Sequence, residues 1–320
     1  MELTDPEEPT DLDSAVFALH SMHLAICTAA LVFNAFLLYL IRKCSAFHPH
    51  MKIIMMHQTM AIIATDIYLF LRSSIGLWQT YEEAPLQVAP QHVDDAQCAF
   101  SSSVPDSLCV LFLWFPFLLA IERTYASQNY ESYETNEFPT FVEISCGVMW
   151  FPVVSEIIIF VFTWGIPSNL QACQYSLLQK TSMQRNTWFV IIASFSVCFS
   201  VFFKLLEMKN KAMEIQLYND YVFSARFQVR ENIKTCRFAC GLLLLFFTFF
   251  FIFFIFDRNL ETSDESRMAS AARREYLFLI FPMFALVYSL HFLTANSSLF
   301  ETAKRTLQQY YYQEHERMLE

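Results

Sequence analysis

The chain contains seven apolar segments, each long enough to cross a lipid bilayer and each separated from the next by a polar stretch. Their ranges are roughly 16–41, 53–78, 100–121, 141–164, 187–206, 238–256 and 276–299. The hydrocarbon core of a bilayer is about 30 Å thick, and about 20 helical residues cross it. Only helices and closed barrels satisfy their backbone in lipid, and the alternating pattern of barrel strands is missing. The segments therefore predict an all-α membrane protein, a bundle of seven transmembrane helices.

The composition supports a single membrane domain. Hydrophobic residues make up 55% of the chain and charged residues only 16%, which is unlike a soluble domain. We expect an extracellular acidic tail over 1–15, the seven-helix domain over 16–299, and a cytosolic tail over 300–320 that could form an amphipathic helix lying on the lipid bilayer. The net charge of −10 argues against a nucleic-acid partner, because such proteins carry basic patches.

Lys and Arg residues indicate the orientation, because they concentrate in the cytoplasmic loops of membrane proteins. With the N-terminus outside, the inner side carries 14 Lys and Arg residues and the outer side carries six. No Lys or Arg precedes the first segment, and Arg42 and Lys43 follow it directly. Residues 1–14 hold six carboxylates and lack the basic region of a cleavable signal peptide. We therefore expect an extracellular N-terminus and a cytosolic C-terminus.

Two of the nine cysteines fall on the predicted outer side. Cys98 lies just before the third segment and Cys173 lies in the loop after the fourth. Extracellular surroundings are oxidising, so a disulfide between Cys98 and Cys173 would hold that loop over the mouth of the bundle. The alternative is that both are free thiols.

The inner end of the third segment carries an acid followed by an arginine, Glu122-Arg123. Arg123 lies 25 residues after Cys98, about 37 Å along a helix, so the two residues belong to opposite membrane faces. Arg123 could pair with Glu122 or be released to a cytosolic partner; alternatively, it is an ordinary arginine that reaches the headgroups. The pair resembles the Asp/Glu-Arg-Tyr motif of rhodopsin-like receptors, which share the predicted seven-helix topology.

Four further blocks of sequence are informative. They are Ala120-Ile-Glu-Arg-Thr-Tyr-Ala-Ser127 with Tyr133-Glu134, Phe223-Ser-Ala-Arg-Phe-Gln-Val-Arg-Glu-Asn-Ile233, Met56-His57 and Leu290-His291-Phe292. Together they resemble the nematode serpentine chemoreceptors of the Sra superfamily. Within the superfamily the Sre type is favoured and the Srab type comes next. The resemblance implies a G-protein-coupled receptor of the plasma membrane, often the ciliary membrane of sensory neurons. Such a receptor detects small molecules or pheromone-like cues.

The stretch between the fifth and sixth segments, about 207–237, carries most of the inner positive charge. Its second half, 215–237, has no Pro or Gly and mixes apolar with charged residues, which predicts an amphipathic extension of helix six. It would contact a heterotrimeric G protein or simply flank the membrane next to anionic lipid. The resemblance favours contact, and the predicted coupling residues are Glu122, Arg123, Arg226, Phe227, Gln228, Arg230, Glu231 and Asn232.

Ionisable residues inside membrane segments are candidates for binding sites. Asp106 lies two helical turns below Cys98, where it could meet a cationic ligand or pair with Arg72, and Glu156 in the fourth segment has the same two interpretations. Asp66 lies near the middle of the second segment, where it would either hold a sodium ion or be satisfied by hydroxyls and water. Arg72, Asp106 and Glu156 are therefore the predicted ligand-binding residues, and Asp66 is the predicted buried polar residue.

No pattern typical of an enzyme is present. The chain lacks a Gly-rich phosphate loop and a Gly-x-Ser-x-Gly motif, and His48, His50, His57 and His92 show no metal-ligand spacing with one another or with carboxylates. We expect neither a cofactor nor a metal. The competing class is a polytopic transporter or ligand-gated channel, but an internal repeat and Gly-broken helices are missing. The predicted function is reception of an extracellular small molecule and activation of a G protein.

Overall fold

The computed structural model describes residues 10–44, 47–82, 111, 114–130, 133, 139–163, 170–219, 223–259, 276 and 278–319. All regular elements in these ranges are α-helices. They are α1 (Thr10–Lys43), α2 (Pro49–Glu82), α3 (114–128), α4 (Pro139–Thr163), α5 (Leu170–Asn219), α6 (Phe223–Asn259), α7 (Ile280–Ala295) and α8 (Ser297–Leu319).

Four stretches of described helix are individually long and apolar enough to cross a membrane. They are Phe17–Lys43, Pro49–Trp78, Val190–Leu217 and Ala225–Ile252, in α1, α2, α5 and α6. The pair Ile280–Ala295 and Ser298–Gln309 meets the same test when taken together, and Thr140–Ser155 in α4 is a shorter apolar helix. Large apolar side chains also point outward, as with Phe151, which is 71% exposed. Such a surface is suited to lipid, and α1 to α7 form the bundle of a seven-transmembrane protein.

Proline and asparagine set several helix boundaries. Pro49 and Pro139 open α2 and α4 at the first helical position, where a missing backbone N–H costs nothing. Between α7 and α8 the axis turns by 99°. The side-chain oxygen of Asn296 accepts a hydrogen bond from the Leu299 backbone N–H at 3.1 Å and so caps the start of α8. Leu299 is buried in turn, and α8 packs on α7 and α1.

Aromatic rings fill the contact between α6 and α7. The ring centroids of Phe246 and Phe284 lie 5.3 Å apart, and those of Phe238 and Phe292 lie 4.5 Å apart with the edge of one ring toward the other. Phe250 extends the same row at 4.4 Å from Phe246. Edge-to-face pairs add about 0.5–1.5 kcal/mol each beyond the area they bury. Packing of large rings thus takes the role that small-residue motifs have in many membrane bundles.

A buried polar layer ties α1, α2 and α7 together. Asn34 on α1 donates to the Ala285 carbonyl on α7 at 3.2 Å and accepts from the Ser289 hydroxyl at 2.8 Å. Between α2 and α7, the hydroxyls of Thr59 and Tyr288 lie 3.2 Å apart. Hydrogen bonds of this kind fix the relative rotation of helices, because an unpaired polar group in an apolar interior is costly.

The polar stretch between the fifth and sixth segments is helical almost throughout, which corrects the predicted boundaries. The expected extension of helix six over 215–237 begins at Phe223, while residues 215–219 belong to the end of α5. At its other end α5 starts at Leu170, so the backbone at Cys173 lies in the first turn of a helix and not in a loop. Cys98 lies outside the described residues.

Candidate functional site

A deeply buried ion pair lies near the end of α3. The side chains of Glu122 and Arg123 are each 1% exposed. The guanidinium donates through Nε to one carboxylate oxygen and through Nη2 to the other, so the pair is bidentate. A buried ion pair of this geometry is costly to break, because removal of one partner leaves a charge without compensation.

Two further contacts connect Arg123 to other parts of the fold. Its Nη1 donates to the side-chain oxygen of Asn232 on α6 at 2.9 Å, and Nη2 donates to the Tyr133 hydroxyl at 3.1 Å. One turn further along α3, the Ser127 hydroxyl accepts from the Asn210 amide on α5 at 3.0 Å. The end of α3 is therefore joined to α5 and α6 by buried polar groups.

Tyr133, which follows α3, brings in the turn between α1 and α2. Its hydroxyl donates to Glu122 and lies 3.0 Å from His48 Nδ1 and 3.4 Å from His50 Nδ1. The His48 backbone N–H donates to Glu231 on α6 at 3.2 Å. We call the set His48, His50, Glu122, Arg123, Tyr133 and Asn232 the Arg123 cluster. It gathers residues from α2, α3, α6 and two connecting segments.

Burial determines the protonation of the two cluster members outside the spanning helices. Burial, together with His50 and the charge of Arg123, lowers the pKa of His48 to about 4, against an opposing effect of Glu122. The imidazole of His48 is therefore neutral near pH 7. Burial also raises the pKa of Tyr133, so its hydroxyl keeps its proton and can donate to Glu122.

The predicted coupling residues of α6 separate into exposed and buried sets. Phe227 is 56% exposed and Arg230 55%, and Arg230 Nε pairs with Glu214 on α5 at 2.6 Å. Gln228 and Asn232 are buried, and Arg226 and Glu231 are partly buried. All six are predicted coupling residues, and the rotation of α6 turns Asn232 toward Arg123.

The predicted ligand-binding residues are only partly described. Arg72 is buried near the end of α2, and its guanidinium lies 4.3 Å from the ring centroid of Phe278, just before α7. Asp106 lies outside the described residues, and so does the side chain of Glu156. Asp66 is buried in α2, and neither of its carboxylate oxygens has a hydrogen-bond partner among the described residues.

Sequence reasoning missed the convergence of His48 and His50 on Glu122. One ring nitrogen of each histidine and a Glu122 oxygen lie within 4.8 Å of one another, although the sequence shows no metal-ligand spacing between them. The histidines and Glu122 are more than 70 residues apart in the chain, and no spacing rule connects them. The one local signal was the His48-Pro-His50 triplet at the start of α2.

Comparison with known proteins agrees with this architecture. The family described as "Serpentine type 7TM GPCR chemoreceptor Sra" matches residues 7–297. No curated protein matches the chain. The match covers all seven helices of the bundle and every residue of the Arg123 cluster. It does not distinguish the Sre and Srab types, so the preference for the Sre type stays a prediction. The chain belongs to the Sra family of serpentine seven-transmembrane chemoreceptors.

Proposed function

We propose that this chemoreceptor binds an extracellular small molecule or pheromone-like cue and activates a heterotrimeric G protein at the Arg123 end of the bundle. The N-terminus is then outside, the C-terminus is cytosolic, and the receptor lies in the plasma membrane, including the ciliary membrane of sensory neurons. Residues 1–15 form the outer tail, 16–299 the receptor domain and 300–320 the cytosolic tail.

The observation that carries the proposal is the buried Arg123, held by Glu122 on its own helix and by Asn232 on α6. If the inner end of α6 moves outward, the bond from Arg123 to Asn232 breaks, while the bond to Glu122 can persist. The arginine thereby has two arrangements that differ in one interhelical contact. A ligand that binds one arrangement more tightly shifts the population toward it.

The exposed face of α6 also supports a G-protein contact at the Arg123 end of the bundle. Phe227 and Arg230 offer an apolar ring and a cation to a partner, and the bond between Arg230 and Glu214 is a surface pair worth about 0–1 kcal/mol. A G protein could therefore take Arg230 from Glu214 at little cost. Gln228 and Asn232 would become accessible only after α6 has moved.

On the opposite side of the bundle we propose Arg72, Asp106 and Glu156 as ligand-facing residues and Cys98–Cys173 as the outer disulfide. The position of Arg72 supports this, because it is buried between α2 and the start of α7 and contacts Phe278. A ligand bound there would touch the helix that packs on α6. The binding event and the movement of α6 are then connected by direct packing.

The test is a cell reporter for G-protein activation, screened with volatile, soluble and pheromone-like compounds. With an active compound identified, the double variant Arg226→Ala/Arg230→Ala should abolish the response and retain surface level and compound binding. Arg123→Ala should abolish the response and also lower the surface level, because it leaves Glu122 buried without its cation. Lys304→Ala, an exposed cation on α8, is the matched control and should respond normally. Compound-evoked current or flux in membranes without G protein would instead support a channel or transporter.

A further inference from the structure

The structure places two imidazoles and a carboxylate around one point at the Arg123 end of the bundle. Neutral histidine nitrogens and a carboxylate oxygen are the donors that Zn²⁺ takes in three-ligand sites, with water in the fourth position. A tetrahedral ion with bonds of about 2.0–2.2 Å needs its ligand atoms about 3.3–3.5 Å apart. In the structure the donor atoms of His48, His50 and Glu122 all lie within 4.8 Å of one another. Small side-chain rotations are enough to close that difference.

The backbone holds the two histidines in place before any ion binds. Pro49 stands between them at the first position of α2, and its ring fixes the local φ angle. The His48 and His50 rings lie edge to face with centroids 4.6 Å apart. A site whose ligands are already close loses little side-chain entropy on binding.

The Tyr133 hydroxyl occupies the space between the three donors, since it contacts both Nδ1 atoms and Glu122. We propose that Zn²⁺ binds to His48, His50 and Glu122 and displaces the Tyr133 hydroxyl from this position. The Glu122 oxygen that Tyr133 releases also accepts a hydrogen bond from Arg123 Nη2; it exchanges both bonds for the metal, while the other oxygen keeps its bond to Arg123 Nε.

The charges around the site permit a divalent ion. Glu122 and Glu231 face it from α3 and α6, and Glu231 already accepts a hydrogen bond from the His48 backbone. Two carboxylates then stand against three positive charges, two on the ion and one on Arg123, so the occupied site keeps a net charge of only +1. Burial of His50 and partial burial of His48 strengthen each metal–ligand bond, because they lower the local dielectric constant.

Binding can be measured on the purified full-length receptor in lipid nanodiscs, treated first with a chelator and then titrated with Zn²⁺ against a chromophoric indicator. We expect one ion per receptor. Mutation of groups that merely support metal ligands costs about 10–100-fold in affinity, so His48→Ala/His50→Ala, which removes two ligands, should cost at least about 100-fold. His57→Ala is the control, since His57 lies on α2 outside the cluster and bonds to Trp150. Failure of the wild type to bind saturably, or equal affinity of the double variant, would overturn the proposal.

Two further variants keep the test informative if the alanine variants do not fold. His50→Cys supplies a thiolate ligand, so with Co²⁺ as the probe it should add a thiolate-to-metal absorption band that the wild type lacks. Tyr133→Phe should tighten Zn²⁺ binding several-fold, because the competing hydroxyl is gone. A missing band shows that position 50 is not a ligand, and unchanged affinity in Tyr133→Phe contradicts the displacement. None of these measurements depends on G-protein coupling, so their outcome is separate from that of the proposed function.

Discussion

Arg123 is fully buried, yet each of its nitrogens has a polar partner: Nε and Nη2 bond to Glu122, Nη2 also to Tyr133, and Nη1 to Asn232. Glu122 supplies the compensating charge, and Asn232 and Tyr133 accept the remaining hydrogen bonds. These partners have different roles, because Glu122 compensates a charge whereas Asn232 only adds a contact between helices. Substitution of Asn232 should therefore change receptor activity, whereas substitution of Glu122 should lower receptor stability.

Asn232→Leu should raise ligand-independent activity at nearly normal surface level. The change removes the bond from Arg123 to α6, which as a hydrogen bond to a charged group stabilises the closed arrangement by about 1.5–3 kcal/mol. The open population should rise about tenfold or more, as measured by nucleotide exchange on a G protein without added compound. Thr235→Val, on the same helix and bonded to Met51 and Glu231 rather than Arg123, is the control and should stay silent.

Glu122→Gln tests the role of the carboxylate that compensates the charge of Arg123. It leaves the Arg123 charge buried without compensation, at a cost of about 3–5 kcal/mol. The amount of receptor at the cell surface should therefore fall, and this loss should outweigh any gain in ligand-independent activity. A Glu122→Gln receptor that reaches the surface normally and an inactive Asn232→Leu receptor would together contradict the division of roles.

At the scale of helices, α1 and α2 approach each other closely at Gly76. A Cβ added there would lie 2.7 Å from the buried His20 ring, so either the ring or the helix must shift. At Gly147 on α4, an added Cβ would meet nothing within 4 Å. The two glycines are thus a matched pair for helix packing.

Gly76→Ala should destabilise the receptor relative to Gly147→Ala by about 1–3 kcal/mol, the usual cost of overpacking a tight contact. Both substitutions gain the same helix propensity, up to about 1 kcal/mol, so that contribution cancels in the comparison. Thermal unfolding can be followed with a thiol-reactive dye, because Cys27, Cys44, Cys146 and Cys236 are buried. Equal midpoints for the two variants would show that the α1–α2 contact is loose at this point.

Hydropathy located the membrane helices but not their full lengths. The apolar pattern of segments five and six spans 187–206 and 238–256, whereas α5 and α6 run over Leu170–Asn219 and Phe223–Asn259. An apolar window records only the part of a helix that faces lipid, and the polar turns beyond it satisfy their backbone equally well in water. Glu122 and Arg123 were recognisable because they are adjacent, whereas the contributions of His48, His50 and Asn232 depend on tertiary packing between distant segments.

At the scale of the whole molecule, the charge distribution predicts which end faces outward. A tag at residue 2 should be labelled on intact cells, and a tag at residue 320 only after permeabilisation, because Lys and Arg resist transfer across the membrane. Quantitative flow cytometry with both tags on one chain measures this. Labelling of both ends on intact cells would mean an even number of spans.

The outer disulfide is a second prediction about the whole receptor. Cys98→Ser and Cys173→Ser should lower surface level to a similar extent, and the double variant should be no worse than either, because each removes the same bond. The expected loss of stability is about 2–5 kcal/mol. Cys198→Ser, at an exposed free cysteine of α5, is the control. Mass spectrometry of the unreduced protein with both thiols free would disprove the bond.

The neutralisation of Arg123 also has a consequence for the biogenesis of the receptor. Glu122 is the preceding residue in the chain, whereas Asn232 lies 109 residues later. A ribosome adds about 5 to 20 residues per second, so Asn232 is synthesised roughly 5 to 20 s after Arg123. Throughout that interval α3 already carries the carboxylate that compensates its arginine, and it can enter the bilayer as a neutral unit. We therefore expect that insertion of the third helix does not require the sixth for charge compensation.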